Sequence, residues 1–252
     1  RQKYLTASEK GPWANSYDRW RNDNLTNRYQ GVQFGYTSAG RYTSWNDIWS
    51  YPGYKERDIL PGDYKYEDWN GDGEINGQDE HPFAFDQTPW LQFSLNAGLQ
   101  WKNLDFNMLL QGSALGSMEY KEPLHEIWGK NGGGALTQFL DRWHPVDPKA
   151  DPYDPSTVWT SGHYAYTGRW AKNNSAFNRV STAYLRLKSI ELGYTFPKLK
   201  QIPNASLRIY ANAYNLLTFT GVKFVDPEHP DDDLGRMYPL NKTYTLGVSL
   251  SF

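Results

Sequence analysis

The chain has 252 residues, a formal charge of −2 at pH 7 and no cysteine, which excludes disulfides and thiolate metal sites and gives no electrostatic basis for binding nucleic acid. Aromatic residues make up 16% of the chain and hydrophobic residues only 38%, alongside 22 Gly and 15 Pro. A chain rich in rings and turns but poor in aliphatic runs is typical of an all-β protein with aromatic-lined loops.

The N-terminal segment, residues 1–27, is polar and rich in tryptophan, and the sequence does not place it in any element. The chain begins Arg1-Gln2-Lys3 without an initiator Met or a signal peptide, so we expect a processed or truncated start. Residues 28–44 are predicted to form a first long strand. Residues 28–252 are assigned together to strands of one barrel and their connecting loops.

The stretch DWNGDGEINGQD at 68–79 has the ligand spacing of a calcium loop. Glu74, at position 7, would ligate through its backbone carbonyl, and Ile75 would anchor the loop to the protein behind it. The alternative is a metal-free turn rich in Asp and Asn. A bound Ca²⁺ would act as a structural cofactor that stiffens a loop, since no flanking helices indicate a sensor. Positions 1, 3, 5, 6 and 12 of the motif are Asp68, Asn70, Asp72, Gly73 and Asp79.

Five later segments alternate apolar and polar residues with a period of two, which predicts β-strands. In TYTLGVSLSF, at the end of the chain, five apolar residues alternate with five small or polar ones without an error. Leu109 is an apolar exception on a polar face. The five segments are 92–101, 104–111, 189–196, 205–214 and 243–252.

Short and long connections alternate between these strands. Lys102-Asn103 predicts a tight hairpin, and the link 197–204 is also short, whereas 112–182 and 219–241 are long. Loops of this length are rare in compact soluble domains, but long loops on one side and short turns on the other are typical of outer-membrane barrels. The pattern therefore favours a transmembrane antiparallel β-barrel over a soluble sandwich.

The two faces of the predicted strands agree with a barrel. One face carries Gln, Asn, Glu, Arg and Asp and suits a hydrated lumen, while the other would meet outer-membrane lipid. A terminal Phe252 places the chain's end on the periplasmic side, so the long segments and the calcium-like loop are expected outside the cell. The candidates for an aromatic girdle near the strand ends are Trp101, Tyr194, Phe196 and Phe252.

Aromatic residues are concentrated in the long segment 112–182. Flat rings beside Asp, Asn and Arg are suited to stacking on sugars, although each ring could equally pack the loop's own core or a partner's surface. The candidate substrate-binding residues are Trp128, Trp143, Trp159, Tyr164, Tyr166 and Trp170.

No catalytic residues are predicted. The chain has no nucleophile elbow, Walker loop or Rossmann fingerprint. A glycosidase pair such as Glu126 and Asp141 can be drawn, but nothing in the spacing selects it.

Five stretches together resemble the C-terminal part of the barrel of a SusC-like TonB-dependent outer-membrane transporter. Their order and spacing cover most of residues 30–252. They are FGYTSAGRYTSWNDI at 34–48, PGDYKYEDWNGDGEINGQDE at 61–80, AYLRLKSIELGYTFP at 183–197, LRIYANAYNLLTFT at 207–220 followed by Asp226-Pro227-Glu228, and YPLNKTYTLGVSLSF at 238–252.

The resemblance implies an all-β protein, the C-terminal part of a barrel of about 22 strands, in the outer membrane of a Gram-negative bacterium. This chain would supply about six of the strands, with the remaining barrel and plug in a separate polypeptide or in a longer parent protein. It also implies engagement of TonB through an N-terminal part not in this sequence, a SusD-like surface lipoprotein as partner, and import of oligosaccharides or peptides. The alternative is a secreted or surface β-sandwich that binds carbohydrate and holds a structural calcium.

Overall fold

The structure is a computed structural model that describes residues 28–53, 59–121, 124–125, 136–166, 174–197, 205–229 and 236–252. The segment 1–27, which the sequence left unplaced, lies outside these ranges. A short helix α1 (Trp45–Ser50) and two 3-10 turns (Gly77–Asp79 and Thr137–Leu140) accompany the strands. The strands are β1 (Gln33–Gly35), β2 (Ser38–Arg41), β3 (Tyr64–Tyr66), β4 (His81–Ala84), β5 (Leu91–Trp101), β6 (Leu104–Ala114), β7 (Ser117–Glu119), β8 (His144–Pro145), β9 (Trp159–Thr160), β10 (Arg179–Ser181), β11 (Tyr184–Phe196), β12 (Ser206–Thr220) and β13 (Thr243–Ser251).

The chain divides into two compact units, and the second is built around the five long strands. These form one antiparallel sheet in the order β13-β12-β11-β6-β5. Each of the five alternating segments is a strand, as predicted, and the sheet has five strands where the resemblance implied about six. The predicted all-β class is confirmed, because period-two patterning dominates the long elements.

The predicted hairpin at Lys102-Asn103 is confirmed. Trp101 pairs directly with Leu104, so only two residues make the turn, and Lys102 adopts a φ of 56°. A positive φ at the first central residue is what a two-residue turn between right-twisted strands requires. This turn fixes the register of β5 on β6 and thereby places alternate side chains on the same face.

The first unit contains four small two-stranded sheets that pair β1 with β4, β2 with β3, β7 with β10 and β8 with β9. Its core is built from tyrosines. Tyr36, Tyr64 and Tyr66 pack with Ile75 and Ala165, and Phe177 closes the cluster at its side. Tyrosine suits such a small, wet core because its ring is buried while its hydroxyl can still reach a polar partner.

The predicted long strand over 28–44 is wrong. The segment forms two short strands, β1 and β2, that pair outside the five-stranded sheet. Tyr36 and Tyr42 are 5% and 1% exposed, so both are committed to the first unit's interior. The chain also runs against a neighbouring backbone at Gly35, where an added Cβ would lie 1.6 Å from the carbonyl oxygen of Asn174. Tertiary contacts of this kind are invisible to a periodicity argument.

Among the described residues, no helix combines the length and the apolar character that crossing a lipid bilayer requires.

Candidate functional site

The polar face of the five-stranded sheet is a continuous array of hydrogen-bonding side chains. Because residues directly opposite each other in antiparallel strands share a face, the register defines its rows. The rows, read across neighbouring strands, are Ser113-Tyr184-Thr220, Gln111-Arg186-Thr218, Asn107-Glu191-Asn212-Thr245 and Asp105-Gly193-Tyr210-Gly247.

The opposite face of this sheet is apolar and exposed. Leu246, Leu99 and Phe219 are 77%, 65% and 64% exposed, although each sits in the middle or near the end of a well-paired strand. Exposed apolar patches of this extent mark contact with another protein or with lipid. Its other exposed members are Leu91, Phe93, Leu95, Trp101, Leu185, Leu192, Tyr194, Phe196, Ile209, Leu217, Tyr244, Val248 and Leu250.

An ion-pair network crosses three strands of the polar face. Arg208 on β12 donates through Nε to Asp105 on β6, at 3.1 Å, and its terminal nitrogen reaches Asp105 and also Glu191 on β11, at 2.7 Å. The strand between Arg208 and Asp105 carries Gly193 at this level, where an added Cβ would lie 2.5 Å from the Arg208 guanidinium. The absence of a side chain at position 193 therefore opens the path for the pair.

Arg208 also lies against an aromatic ring on its own strand. Its guanidinium carbon is 4.7 Å from the centroid of Tyr210, and that ring extends over β13, where an added Cβ at Gly247 would lie 2.2 Å from the tyrosine. Glycine at 193 and at 247 thus lets the two large side chains of β12 lie flat along the sheet. The polar face is kept shallow at this level.

A second arginine ties a loop to the polar face. Arg186 on β11 is wholly buried and binds Asp226 and Glu228, each at 2.5 Å, while its Nε donates to Thr218 at 3.0 Å. Two of the stretches that carry the family resemblance, AYLRLKSIELGYTFP and Asp226-Pro227-Glu228, are therefore joined by an ion pair. Sequence reasoning found both stretches but not the contact between them.

The calcium-like loop at 68–79 is organised by its own acidic side chains. Asp68 accepts hydrogen bonds from the backbone amides of Gly71 and Gly73, at 2.7 and 2.9 Å. Asn70 accepts from the amide of Asp72, and Asp72 from the amide of Glu74. These bonds fold positions 1, 3 and 5 into successive turns, and carboxylate oxygens retain further lone pairs that a cation could use.

Asp79, the residue at position 12, closes the loop from inside. It is 0% exposed, and its oxygens accept from the backbone amides of Trp69, at 2.9 Å, and Asn76, at 2.8 Å. Burial raises the pKa of Asp79, and these amide hydrogen bonds act in the opposite direction. The buried carboxylate of Asp79 thus holds the two ends of the loop together through backbone hydrogen bonds.

The predicted anchoring of the loop by Ile75 is confirmed. Ile75 is 5% exposed and belongs to the tyrosine core of the first unit, and its amide donates to the carbonyl of Gly53 at 3.4 Å. The neighbouring Glu74 pairs with Gly53 in an isolated bridge. Within the ranges that the structure describes, no three His, Cys, Asp or Glu side chains are grouped as ligands of one metal ion, so the ligand set of the motif stays a prediction.

Four of the six predicted substrate-binding aromatics lie in the described segment 136–166. Trp159 and Tyr166 are partly exposed and meet edge to face, with ring centroids 5.3 Å apart. Trp143 packs over Gly62, where an added Cβ would lie 2.3 Å from its ring. Tyr164 is 9% exposed and packs on Phe139, so it serves the interior of this segment. Trp128 and Trp170 lie outside the described residues.

Of the carboxylate pair considered for a glycosidase, the structure describes only Asp141. The backbone carbonyl of Asp141 accepts from the amides of His163 and Tyr164, at 2.8 and 3.0 Å, and its carboxylate accepts from His163 as well. Glu126 lies outside the described residues.

Sequence reasoning missed Arg186, Arg208 and Asp105 as organising residues of the polar face. The available signal was that each occupies a polar position of an alternating strand. Which strands are neighbours decides which charges meet, and that order was not derivable from alternation alone.

Comparison with known proteins gives a consistent assignment. No family model matches the chain. It is 28% identical over 211 residues to TonB-dependent receptor P3 of Formosa agariphila, which covers 77% of this chain and 19% of the receptor. It is 27% identical over 239 residues to TonB-dependent receptor P26 of the same organism, covering 89% of this chain and 22% of that receptor. The chain therefore spans about a fifth of the length of the curated relatives it matches.

Solved structures of the RagAB peptide transporter share the fold. One superposes with a TM-score of 0.62 at 20% identity, over 91% of this chain and 23% of the matched chain. The open-open state of the RagAB peptide importer gives a TM-score of 0.58 at 19% identity, over 99% of this chain and 25% of that chain. The chain is similar in sequence to TonB-dependent receptors over most of its length, and it shares its fold with about a quarter of the matched RagAB chains.

Proposed function

We propose that this chain is part of the wall of a TonB-dependent importer in the outer membrane of a Gram-negative bacterium. The apolar face of the five-stranded sheet meets lipid, and the polar face lines the lumen. The observation that carries the proposal is the exposed apolar face, with Leu246 77% exposed on a strand that alternates without an error. Alternation of apolar-out and polar-in residues on tilted antiparallel strands is the pattern of outer-membrane barrels.

The exposed face also favours this proposal over the alternative, a secreted carbohydrate-binding β-sandwich. A sandwich buries the apolar face of each sheet against a second sheet. Each large apolar side chain left in water instead of being buried costs about 1.5–3 kcal/mol, so a whole face of them is costly against the net stability of about 5–15 kcal/mol of an ordinary domain. A lipid environment removes this cost without a second sheet.

We propose oligosaccharides, or peptides, as the imported substrates, with a SusD-like surface lipoprotein as the partner of the complete transporter and TonB as its source of energy. The similarity to two TonB-dependent receptors supports import, and the fold shared with a peptide transporter supports a solute of this size. The partly exposed Trp159-Tyr166 pair is the candidate contact for a sugar ring or an apolar side chain.

We further propose that the loop 68–79 binds a structural Ca²⁺. Its residue types fit a hard cation, since Asp68, Asn70 and Asp72 present oxygen atoms at the spacing of a calcium loop. Asp79 is already engaged with backbone amides, so we assign it to closing the loop and assign cation binding chiefly to the three earlier positions. The ion would then stiffen the loop beyond what Asp79 achieves.

The experiment that tests the importer is extraction from bacterial membranes followed by uptake. The protein as its cell makes it should stay in the membrane fraction through high salt and be released only by detergent, accompanied by a surface lipoprotein. Cells should take up a labelled oligosaccharide or peptide mixture only when TonB is present. A protein that leaves the membrane fraction as a monomer in plain aqueous buffer would exclude a place in the barrel wall.

A further inference from the structure

The segment that follows β12 folds back onto the polar face of the sheet. We call residues 221–229 the strap. Val222 is 7% exposed and His229 is 6% exposed, so both ends of the strap are docked. Between them, Phe224 adopts a φ of 71°, a left-handed conformation that is uncommon for residues other than glycine. Such a conformation persists where surrounding contacts hold the backbone in place.

The contacts that hold the strap converge on Arg186. Its guanidinium binds Asp226 and Glu228 at 2.5 Å each, and its side chain is 1% exposed. Asp226 also orders the strap internally, since it accepts from the amide of Glu228 at 3.0 Å and its carbonyl accepts from the amide of His229 at 2.9 Å. The two carboxylates are thus presented by one rigid turn.

The wall beneath the strap is prepared for this contact. Thr218, opposite Arg186 on β12, accepts from its Nε, and the ring of Tyr184 lies 5.0 Å from the guanidinium carbon. The Tyr184 hydroxyl in turn accepts from Gln111 at 3.2 Å. Every group in the cluster is fixed on the sheet except the two carboxylates, which arrive on the strap.

Arg186 belongs to the sheet while both of its carboxylate partners belong to the strap, and this has an energetic consequence. A buried arginine that loses its partners is left as an uncompensated buried charge, which is strongly destabilising. Release of the strap would therefore have to open Arg186 to water, and a half-released strap that leaves Arg186 buried without its carboxylates would be disfavoured. An element whose intermediate positions are disfavoured is suited to a conformational switch.

We propose that Arg186 is a positioning residue that docks the strap over Tyr184 and Gln111, and that release of this clasp is the motion that uncovers this end of the polar face. The docking follows from the contacts of the second unit alone. Only the use of the motion during import rests on the proposed function, where the docked strap would limit a solute's access to the lumen wall.

Limited digestion with trypsin tests the clasp in the protein as its cell makes it, held in detergent or in membranes. The exposed Lys223 lies in the strap, so cleavage after Lys223 reports release of the strap. Cleavage after Lys102, in the hairpin turn between β5 and β6, serves as the internal standard for the sheet. Both bonds are followed in one sample by mass spectrometry.

Arg186→Gln should accelerate cleavage after Lys223 at least roughly tenfold, because local opening controls the cleavage of a docked segment. Cleavage after Lys102 should not change. The strap-side double variant Asp226→Asn with Glu228→Gln should reproduce the effect, since it removes the other half of the clasp. Arg186→Lys should fall between wild type and Arg186→Gln, because lysine keeps the charge but cannot hold two carboxylates with one planar fork.

Arg208→Gln is the matched control. It removes the same charge from the same face of the sheet, where Arg208 binds Asp105 and Glu191, both of them on strands. Equal acceleration at Lys223 by Arg186→Gln and Arg208→Gln would overturn the proposal. So would parallel acceleration at Lys223 and Lys102, since Arg186 would then stabilise the whole sheet. If Arg186→Gln loses uptake but its cleavage pattern is unchanged, the docking contact is disproved. The loss of uptake then concerns only the proposed importer.

Discussion

Arg208 on β12 binds Asp105 on β6 across an intervening strand, because the residue of β11 at that level is Gly193. An ion pair that spans a strand ties three neighbouring strands together with side chains as well as with backbone hydrogen bonds. The same arrangement holds Glu191 at 2.7 Å from the guanidinium. Ion pairs therefore connect the strands across the polar face, and the missing side chain at Gly193 leaves the space that the Arg208–Asp105 pair occupies.

The loss of stability on replacing a glycine of the sheet with alanine should depend on which atoms the added Cβ contacts. The atoms nearest to an added Cβ at Gly193 are the far ends of the Arg208 and Asp105 side chains, so Gly193→Ala should cost about 1 kcal/mol through the disturbed ion pair. Gly112→Ala meets the ring of Phe93 and, at 2.8 Å, the backbone oxygen of Tyr184, so it should cost about 2–3 kcal/mol.

Gly221→Ala is the control for this series, since nothing lies within 4 Å of its added Cβ. Denaturant unfolding in detergent measures all three variants. A larger loss for Gly193→Ala than for Gly112→Ala would contradict the argument that flexible side chains yield more easily than backbone.

Opposite faces of β13 should respond oppositely to charge. Leu246→Arg places a cation on the apolar face near mid-strand and should reduce membrane assembly, by about 2–4 kcal/mol if this position lies near the bilayer midplane. Thr245→Arg, one residue away on the polar face, should assemble nearly as well as wild type.

The readout for these two arginine variants is the fraction of protein that is folded in the outer membrane. In water the expectation reverses, because replacing an exposed leucine with arginine would improve solubility. Normal assembly of Leu246→Arg would therefore argue that this face does not meet lipid.

The calcium proposal predicts saturable binding that depends on the first positions of the loop. Calorimetric titration should give a dissociation constant of about 10⁻⁴–10⁻³ M, as in extracellular calcium modules. Asp68→Ala combined with Asp72→Ala should abolish the binding. Asp151→Ala, which removes an acidic side chain from an exposed loop, is the control.

Calcium should also slow hydrogen exchange at the amides of Gly71 and Gly73, which donate to Asp68. Addition of a chelator should reverse this protection. Identical exchange with and without calcium, in a protein whose loop is intact, would leave the motif as a metal-free turn.

Acidification should loosen the surroundings of His125. The side chain is 8% exposed, and burial lowers the pKa of His125 to about 4, against the small opposing effect of a backbone hydrogen bond at Lys121. The pKa of His125 in the folded protein lies below the ordinary histidine value of about 6.5, so the unfolded chain binds the proton first as pH falls. The free energy of unfolding is therefore fully retained above about pH 6.5 and decreases by about 3 kcal/mol in total as pH falls toward 4.

Hydrogen exchange at Leu124, whose amide donates to Lys121 at 3.2 Å, should therefore quicken between pH 7 and pH 5 after correction for intrinsic rates. His125→Gln should weaken this dependence, and His144→Gln, on a partly buried histidine of the same unit, should preserve it. A pH profile that survives His125→Gln would assign the effect to another group.

Loss of the Ile75 side chain should destabilise the calcium-like loop. Ile75→Ala removes a side chain that is 5% exposed in the tyrosine core and should cost about 2–4 kcal/mol. Leu140→Ala, at a position that is 79% exposed, should be nearly neutral. Protease sensitivity of residues 68–79 measures the difference, and equal sensitivity of the two variants would mean that Ile75 does not anchor the loop.

The sequence by itself determined which segments form strands wherever the two faces of a strand lie in different environments. The five long strands, the hairpin at Lys102-Asn103 and the anchoring role of Ile75 all follow from local spacing, because a period of two and a tight turn are properties of neighbouring residues. The resemblance to SusC-like transporters was also legible in the sequence, since it rests on several stretches in fixed order.

Tertiary structure alone decided which distant residues meet. The segment 28–44, predicted as one long strand, instead enters the first unit, because Tyr36 and Tyr42 are both buried there. Arg186 meets Asp226 across 40 positions of sequence, and Arg208 meets Asp105 across 103. Alternation determines which face a side chain occupies, but strand order and register determine its neighbours, and these depend on the packing of the whole sheet.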